Sequence, residues 1–380
     1  MVVSIDMLPG EVLVEIFDFY VVEAMEEEDV YSENEMEAWR ALVHVCRRWR
    51  SVVFGSPRRL KLKVYCTTQT PLRDRLDVWP ALPLVIEGHT VNVDNIIPLL
   101  ECSDRINQII LWGSNYWEDI WEVMKVSLIS FPELTYLSLE PNDKAEPVLP
   151  LSDSFLSGSV PRLQYLNLDN IPFPGLPKLL SSTTNLTILH LLNIPHSGYI
   201  SPGAMVACLS LLTSLDRLVF GFRSSQSRPD RESRCPPPSS RTVLPVLTYL
   251  GFRGVCEYLE DLVARVDAPR LDFFQTTFFN DIVFDTPQIA QFISRTPTLK
   301  AFEKATFYFG DYDACIRLFS KASSNGRLDM TISCRELDWQ VSFLEQLCTS
   351  FCFFLHLPAL EDLYIVWVWS QRNWGGDIDN

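Results

Sequence analysis

Residues 134–139 read LTYLSL, with leucine at 134, 137 and 139. Leu137 and Leu139 stand two apart, the period that sends side chains to one face of a β-strand. The spacing L-x-x-L-x-L returns as LQYLNL from Leu163 and LTILHL from Leu186. Looser copies are INQIIL from Ile106, LDRLVF from Leu215, LTYLGF from Leu247, LDFFQT from Leu271, LKAFEK from Leu299 and LEDLYI from Leu360; LDMTIS from Leu328 is the weakest. Successive copies start 23 to 32 residues apart.

A repeat of roughly 20–29 residues built on this spacing is the signature of leucine-rich repeats, and the longer intervals imply insertions. Each copy predicts a short strand with its leucines inward, and stacked copies predict a parallel sheet. Between copies, PGLPKLLSSTT, PGAMVACLSLLTS, VCEYLEDLVARVD and TPQIAQFISRTP read as helices, with Pro near several of their starts. Strand–helix alternation predicts an α/β fold: a degenerate leucine-rich-repeat solenoid over residues 58–380, parallel strands on its concave face and helices outside. The runner-up, a doubly wound sheet, has no glycine-rich phosphate turn behind it. The usual turn residue, Asn or Cys eight residues after the first leucine, is Asn142 in one copy but Ile171, Ile194 and Val255 in others. The turns must be satisfied in another way.

The third and fifth positions of each copy point away from the leucines. One such column holds Tyr136, Tyr165, Tyr249 and Phe273, with His190 and Arg217 beside it. Strands favour aromatics for packing alone. A ladder of rings on the concave face is also a binding surface gained at low entropic cost, so these six residues are the candidate substrate contacts. Residues 223–241, rich in Arg, Ser and Pro, read as a disordered loop interrupting the array. The chain closes on RNWGGDIDN without an amphipathic helix, as a shortened array would.

Residues 1–57 follow another pattern. In LPGEVLVEIFDFY, Val12, Leu13, Ile16, Phe17 and Tyr20 recur at helical spacing behind Pro9. An acidic stretch from Glu23 to Glu37 carries eight carboxylates and no Lys or Arg. A second stripe, Leu42, Val45, Cys46, Trp49, Val52 and Val53, predicts one helix ending at Gly55-Ser56-Pro57. A unit this small cannot bury both stripes against itself.

The order Leu8-Pro9, Ile16-Phe17, Val45-Cys46-Arg47-Arg48-Trp49 and Ser56-Pro57 resembles an F-box, with the acidic stretch a longer spacer than most F-boxes have. The stretches ALPLVIEGH, IPHSGYISPGAM, YLEDLVARVDAPRLD and FDTPQIAQFISRTP are similar to F-box proteins of mushroom-forming fungi. The resemblance implies docking on the Skp-type adaptor of a cullin ubiquitin ligase, with the remaining chain selecting a protein substrate. It places the adaptor contacts among Leu8, Pro9, Val12, Ile16, Phe17, Leu42, Val45, Cys46 and Trp49. The alternative is a leucine-rich-repeat scaffold whose F-box-like helices only cap the array.

Bulk properties agree with a protein-binding role. Of 380 residues, 47% are apolar and 21% charged, which supports a packed core, and the net charge of −16 disfavours nucleic acid and anionic membrane. No apolar run is long and uninterrupted enough for a membrane span. The opening residues lack a secretory signal, so the ten cysteines read as free thiols and the compartment as cytosol or nucleus. The five histidines fit no metal-binding spacing; Cys348, Cys352 and His356 share a helical face but sit in an apolar run. With no nucleophile elbow and no phosphate loop, neither enzymatic chemistry nor a cofactor is expected, and a hydrolase hidden in a degenerate α/β domain is the remote third reading.

Overall fold

The computed structural model describes residues 7–26, 39–57, 59–60, 62–66, 82–114, 116–125, 131–141, 150–151, 155–158, 160–229, 241–279, 287–299, 302–320, 326–333, 339–345 and 362–368. Three helices lead: α1 Gly10–Glu26, α2 Trp39–Val45 and α3 Arg47–Gly55. The first strands are β1 Val64–Cys66, β2 Leu84–His89, β3 Ile106–Gly113, β4 Tyr136–Pro141, β5 Tyr165–Asp169, β6 Ile188–Ile194 and β7 Arg217–Phe222. Then come β8 Thr242–Val243, β9 Tyr249–Gly254, β10 Val266–Asp267, β11 Phe273–Phe279, β12 Phe302–Gly310, β13 Asp313–Ser320, β14 Arg327–Ser333 and β15 Asp362–Val368. The helices among them are α4 Val93–Leu100, α5 Trp117–Lys125, α6 Leu176–Ser182, α7 Pro202–Leu209, α8 Cys256–Val263 and α9 Pro287–Arg295.

The protein is a mixed α/β fold around one 13-stranded, mostly parallel sheet, ordered β1-β2-β3-β4-β5-β6-β7-β9-β11-β14-β13-β12-β15. β8 and β10 form a separate parallel pair. The leucine spacing builds the sheet's inner layer. Leu134, Leu137, Leu139, Leu163, Leu166, Leu186, Leu189 and Leu247 are fully buried. Each contributes about 1.5–3 kcal/mol by leaving water. Tyr258 of α8 packs on Phe220, Phe222 and Phe252, and Phe292 of α9 packs on Phe274. All four sheet residues belong to the leucine face, so these helices cover that side.

Before each strand the second residue of the copy extends a chain of backbone hydrogen bonds along the array. Thr135, Gln164, Thr187, Asp216, Thr248 and Asp272 each donate N–H to the carbonyl of the residue at this position in the preceding copy, at 2.8–2.9 Å. Thr135 and Thr187 add their hydroxyls to the same carbonyls. The next link is Arg327, whose N–H reaches Asp272 O at 2.7 Å.

That link marks the break in the expected array. The copy from Leu299 does not lie beside the copy from Leu271. β14, the weakest copy, pairs in parallel with β11 through seven residues, from Phe273↔Arg327 to Phe279↔Ser333. β13 then runs antiparallel to both β14 and β12, and β15 joins β12 in parallel. The uniformly parallel reading fails from Phe302 onward because Asp311 and Tyr312 close a tight hairpin between two alternating strands. A register shift between Phe302 and Lys304 sets Lys304 opposite Phe319.

The turns lacking the usual Asn are closed one residue earlier. Asn170 and Asn193 adopt the left-handed conformation, φ 56° and 47°, which Asn tolerates better than most residues. Asn193 Nδ2 donates to Asp169 Oδ1 at 2.7 Å, and Arg253 reaches Asn193 Oδ1 at 3.4 Å. Asn142 lies outside the described residues. The segment expected to be disordered begins folded: Arg223 N–H donates to Ile194 O, and Ser227 is buried. Residues 230–240 lie outside the described residues, as do 369–380.

Candidate interaction surfaces

The expected single helix over Leu42–Val53 is two. Cys46 is extended, φ −158° and ψ 170°, and its thiol accepts the Trp49 N–H at 3.5 Å as the cap of α3. Arg50 Nε donates to Val43 O at 3.0 Å across the break. The break lets α2 and α3 present apolar residues to α1 and β1 together. Trp39, Leu42, Val43 and Val53 are buried, and Trp39 Nε1 donates to Lys63 O at 3.1 Å. Trp49 packs on Phe17 with ring centroids 4.8 Å apart. Arg48 donates to Leu8 O, tying α3 to the start of α1.

The nine candidate adaptor residues therefore divide. Phe17 and Leu42 are buried; Leu8 and Trp49 are partly buried against the core; Cys46 is a helix cap. Pro9 is exposed. Val12 and Ile16 are each 41% exposed and Val45 is 59% exposed. Helix α1 thus carries two apolar stripes. Leu13, Val14, Phe17 and Val21 face inward, while Val12, Ile16, Phe19 and Tyr20 face solvent.

The six candidate substrate residues all fall on the sheet face opposite the leucines. In-register pairing sets Tyr136, Tyr165, Ile188, Arg217, Tyr249 and Phe273 side by side in one row. Tyr136 and Tyr165 stack with centroids 4.0 Å apart and planes 3° apart. Tyr165 meets His190 edge-on at 5.5 Å, with its hydroxyl 3.4 Å from Nδ1. The Arg217 guanidinium sits 4.5 Å over the Tyr249 ring, which meets Phe273 edge-on at 4.9 Å. Tyr249 donates its hydroxyl to Gln275 at 2.6 Å.

A second row supplies polar groups. Asn167 Nδ2 donates to Ser138 Oγ at 2.9 Å and to Glu140 Oε1 at 2.7 Å. Asn167 Oδ1 and His190 Nε2 are buried without a hydrogen-bond partner among the described residues. Burial, helped by the Arg217 charge, holds the His190 imidazole below its ordinary pKa. Burial pushes the Tyr136 and Tyr249 phenols up.

Sequence reading missed the continuation of the first row. In register beyond Phe273 come Arg327, Phe319 and Lys304. Arg327 lies 4.9 Å over Phe273 and 5.7 Å from Phe319; Lys304 lies 5.6 Å from Phe319 and 4.7 Å over Tyr364. The signal was present in the alternation of FYFGDYDACIRLF. Among the described residues no group of three His, Cys, Asp or Glu is placed to hold a metal ion, and no helix is long and apolar enough to cross a membrane. Cys348, Cys352 and His356 lie outside the described residues. A scan against protein-family models finds no match, and no curated protein matches the chain.

Proposed function

We propose that this chain is the substrate-receptor subunit of an SCF-type cullin ubiquitin ligase, working in cytosol or nucleus. Its N-terminal helices act as an F-box on the Skp-type adaptor. The βα units are degenerate leucine-rich repeats whose sheet face opposite the leucines takes a protein substrate. The receptor does no chemistry of its own; it raises the effective concentration of substrate beside the ubiquitin-charged enzyme. One observation carries the reading: α1 buries one apolar stripe and leaves Val12, Ile16, Phe19 and Tyr20 to solvent, with Val45 likewise exposed on α2. Exposed apolar side chains clustered on one helix are what a partner groove covers.

The test is capture of a purified Skp-type adaptor by the full chain and by the double variant Val12→Asp, Ile16→Asp. Both positions are exposed, so folding stability should change by only about 0.5 kcal/mol per site. Adaptor capture should be lost. Equal capture by variant and parent would refute the receptor reading. The scaffold reading has its own observation: Leu13, Phe17 and Leu42 join one buried cluster with Leu60, Leu62 and Val64, as an array cap would. A chain that stays free in adaptor excess would favour it.

A further inference from the structure

We propose that the half of the sheet face opposite the leucines built by β7, β9, β11, β14, β13 and β12 binds an acidic peptide segment. This deepens the substrate-receptor reading, on which it rests for calling the occupant a substrate. The face is divided by charge. Across β2 to β6 its three central rows hold Glu87, Glu140 and Asp169, and neither lysine nor arginine. Across β7 to β12 they hold Arg217, Arg253, Arg317, Arg327 and Lys304 against one carboxylate, Asp329. Asp362 of β15 stands beyond Lys304. In a chain of net charge −16, this is a local excess of cations.

The cations are held ready. Asp329 is 4% exposed and is bonded by both Arg317 and Arg327, so it fixes those guanidiniums and meets no ligand. The side chains of Arg217 and Lys304 make no hydrogen bond or ion pair among the described residues; each rests on a ring instead. A guanidinium stacked on a ring keeps its N–H edge free for a carboxylate. Arg253 lies 5.7 Å from the Phe279 ring and reaches Asn193 Oδ1 at 3.4 Å. Because rings hold Arg217 and Lys304, little side-chain entropy is lost when a carboxylate arrives.

The first row interleaves three cations with three rings, in the order Arg217, Tyr249, Phe273, Arg327, Phe319 and Lys304, across six neighbouring strands from β7 to β12. At about 4.8 Å per strand the row spans roughly 24 Å, the length of about seven extended residues. A segment of that length with carboxylates and one or two aromatic residues matches it. Nucleic acid matches it less well, because a long polyanion would also meet Glu87, Glu140 and Asp169 and the negative field of the whole chain.

The experiment is fluorescence anisotropy on the full-length chain with a labelled peptide of about seven residues, rich in glutamate and carrying one tyrosine. Saturable binding that weakens as salt rises is expected. Replacing each peptide glutamate by glutamine should weaken binding at least tenfold, a result that needs no protein variant. The double variant Arg217→Gln, Lys304→Gln should do the same, while Glu87→Gln on the other half keeps the parent affinity. Equal affinity for the glutamine peptide, or tighter binding of a single-stranded oligonucleotide of equal length, would overturn the proposal. Adaptor capture is measured on the same preparation. Capture without peptide binding overturns this inference and leaves the receptor reading; peptide binding without capture does the reverse.

Discussion

Trp49 and Val45 lie four residues apart, and substitutions there should separate folding from docking. Trp49 stacks on the fully buried Phe17, so Trp49→Ala opens a gap between α1 and α3. Truncating a buried aromatic costs about 3–5 kcal/mol, and the partial exposure of Trp49 puts its value near the lower end. Urea denaturation should show that loss. Val45→Asp should leave the midpoint unchanged, because Val45 already faces water, yet abolish adaptor capture. The sequence placed both residues on one stripe. It could not reveal that Cys46 breaks the helix between them, because a thiol is a rare cap. His190 offers a pH test. Its folded pKa lies below the ordinary 6.5, so below that pH the unfolded chain binds the extra proton first. Stability therefore falls as pH drops below about 6.5 and levels off once the folded imidazole is protonated. Above that range the residue has no effect. Denaturation midpoints across this range should flatten in His190→Asn; an unchanged slope would show that the imidazole is not the titrating group.

At the scale of elements, the leucine spacing made β3 to β7, β9 and β11 legible, because a buried parallel strand between helices needs little beyond its inward side chains. The helix runs after Pro174, Pro202, Val255 and Thr286 were equally legible from their place between strands and from the Pro near several of their starts. Two kinds of contact were not. One is the buried carboxylate Glu260 of α8, whose oxygens accept the N–H groups of Gln288 and Ile289 at 2.9 and 2.8 Å, at the start of α9. Nothing local in YLEDLV marks Glu260 as the inward one. Glu260→Ala leaves two amides at a helix start without this acceptor and should cost about 1–3 kcal/mol, read by thermal or urea unfolding. The other is the left-handed asparagine that ends β5 and β6. Asn193→Val should cost about 1–3 kcal/mol, since a β-branched residue resists φ near 47°. Asn193→Gly relieves the backbone and loses the side-chain bonds to Asp169 and Arg253.

Over the whole molecule, neighbouring strands are the unit of stability, and the reversal after β11 divides the sheet. In a stacked array each unit draws its support from the units beside it, so damage should stay local. Met330 tests this. It is 1% exposed on β14, opposite Thr276 of β11 and Ile316 of β13, on the same side as the leucines. Met330→Asp puts a carboxylate there with no cation on either of these neighbours, at a cost of about 3 kcal/mol. Among the described strands, β14 alone pairs with both β11 and the hairpin beyond it. Amide exchange should rise first in β12 to β14 and at the newly freed edge of β11, while β3 to β6 keep parental protection. The basic half of the face opposite the leucines would come apart with the hairpin, because Phe319 and Lys304 sit on it and Arg327 sits on β14 beside it. Acidic-peptide affinity should fall in this variant with adaptor capture unchanged, as the three N-terminal helices pack at the opposite end of the sheet. A uniform loss of protection from β1 to β14 would instead mean that the sheet unfolds as one cooperative unit, and the two surfaces could not be damaged separately.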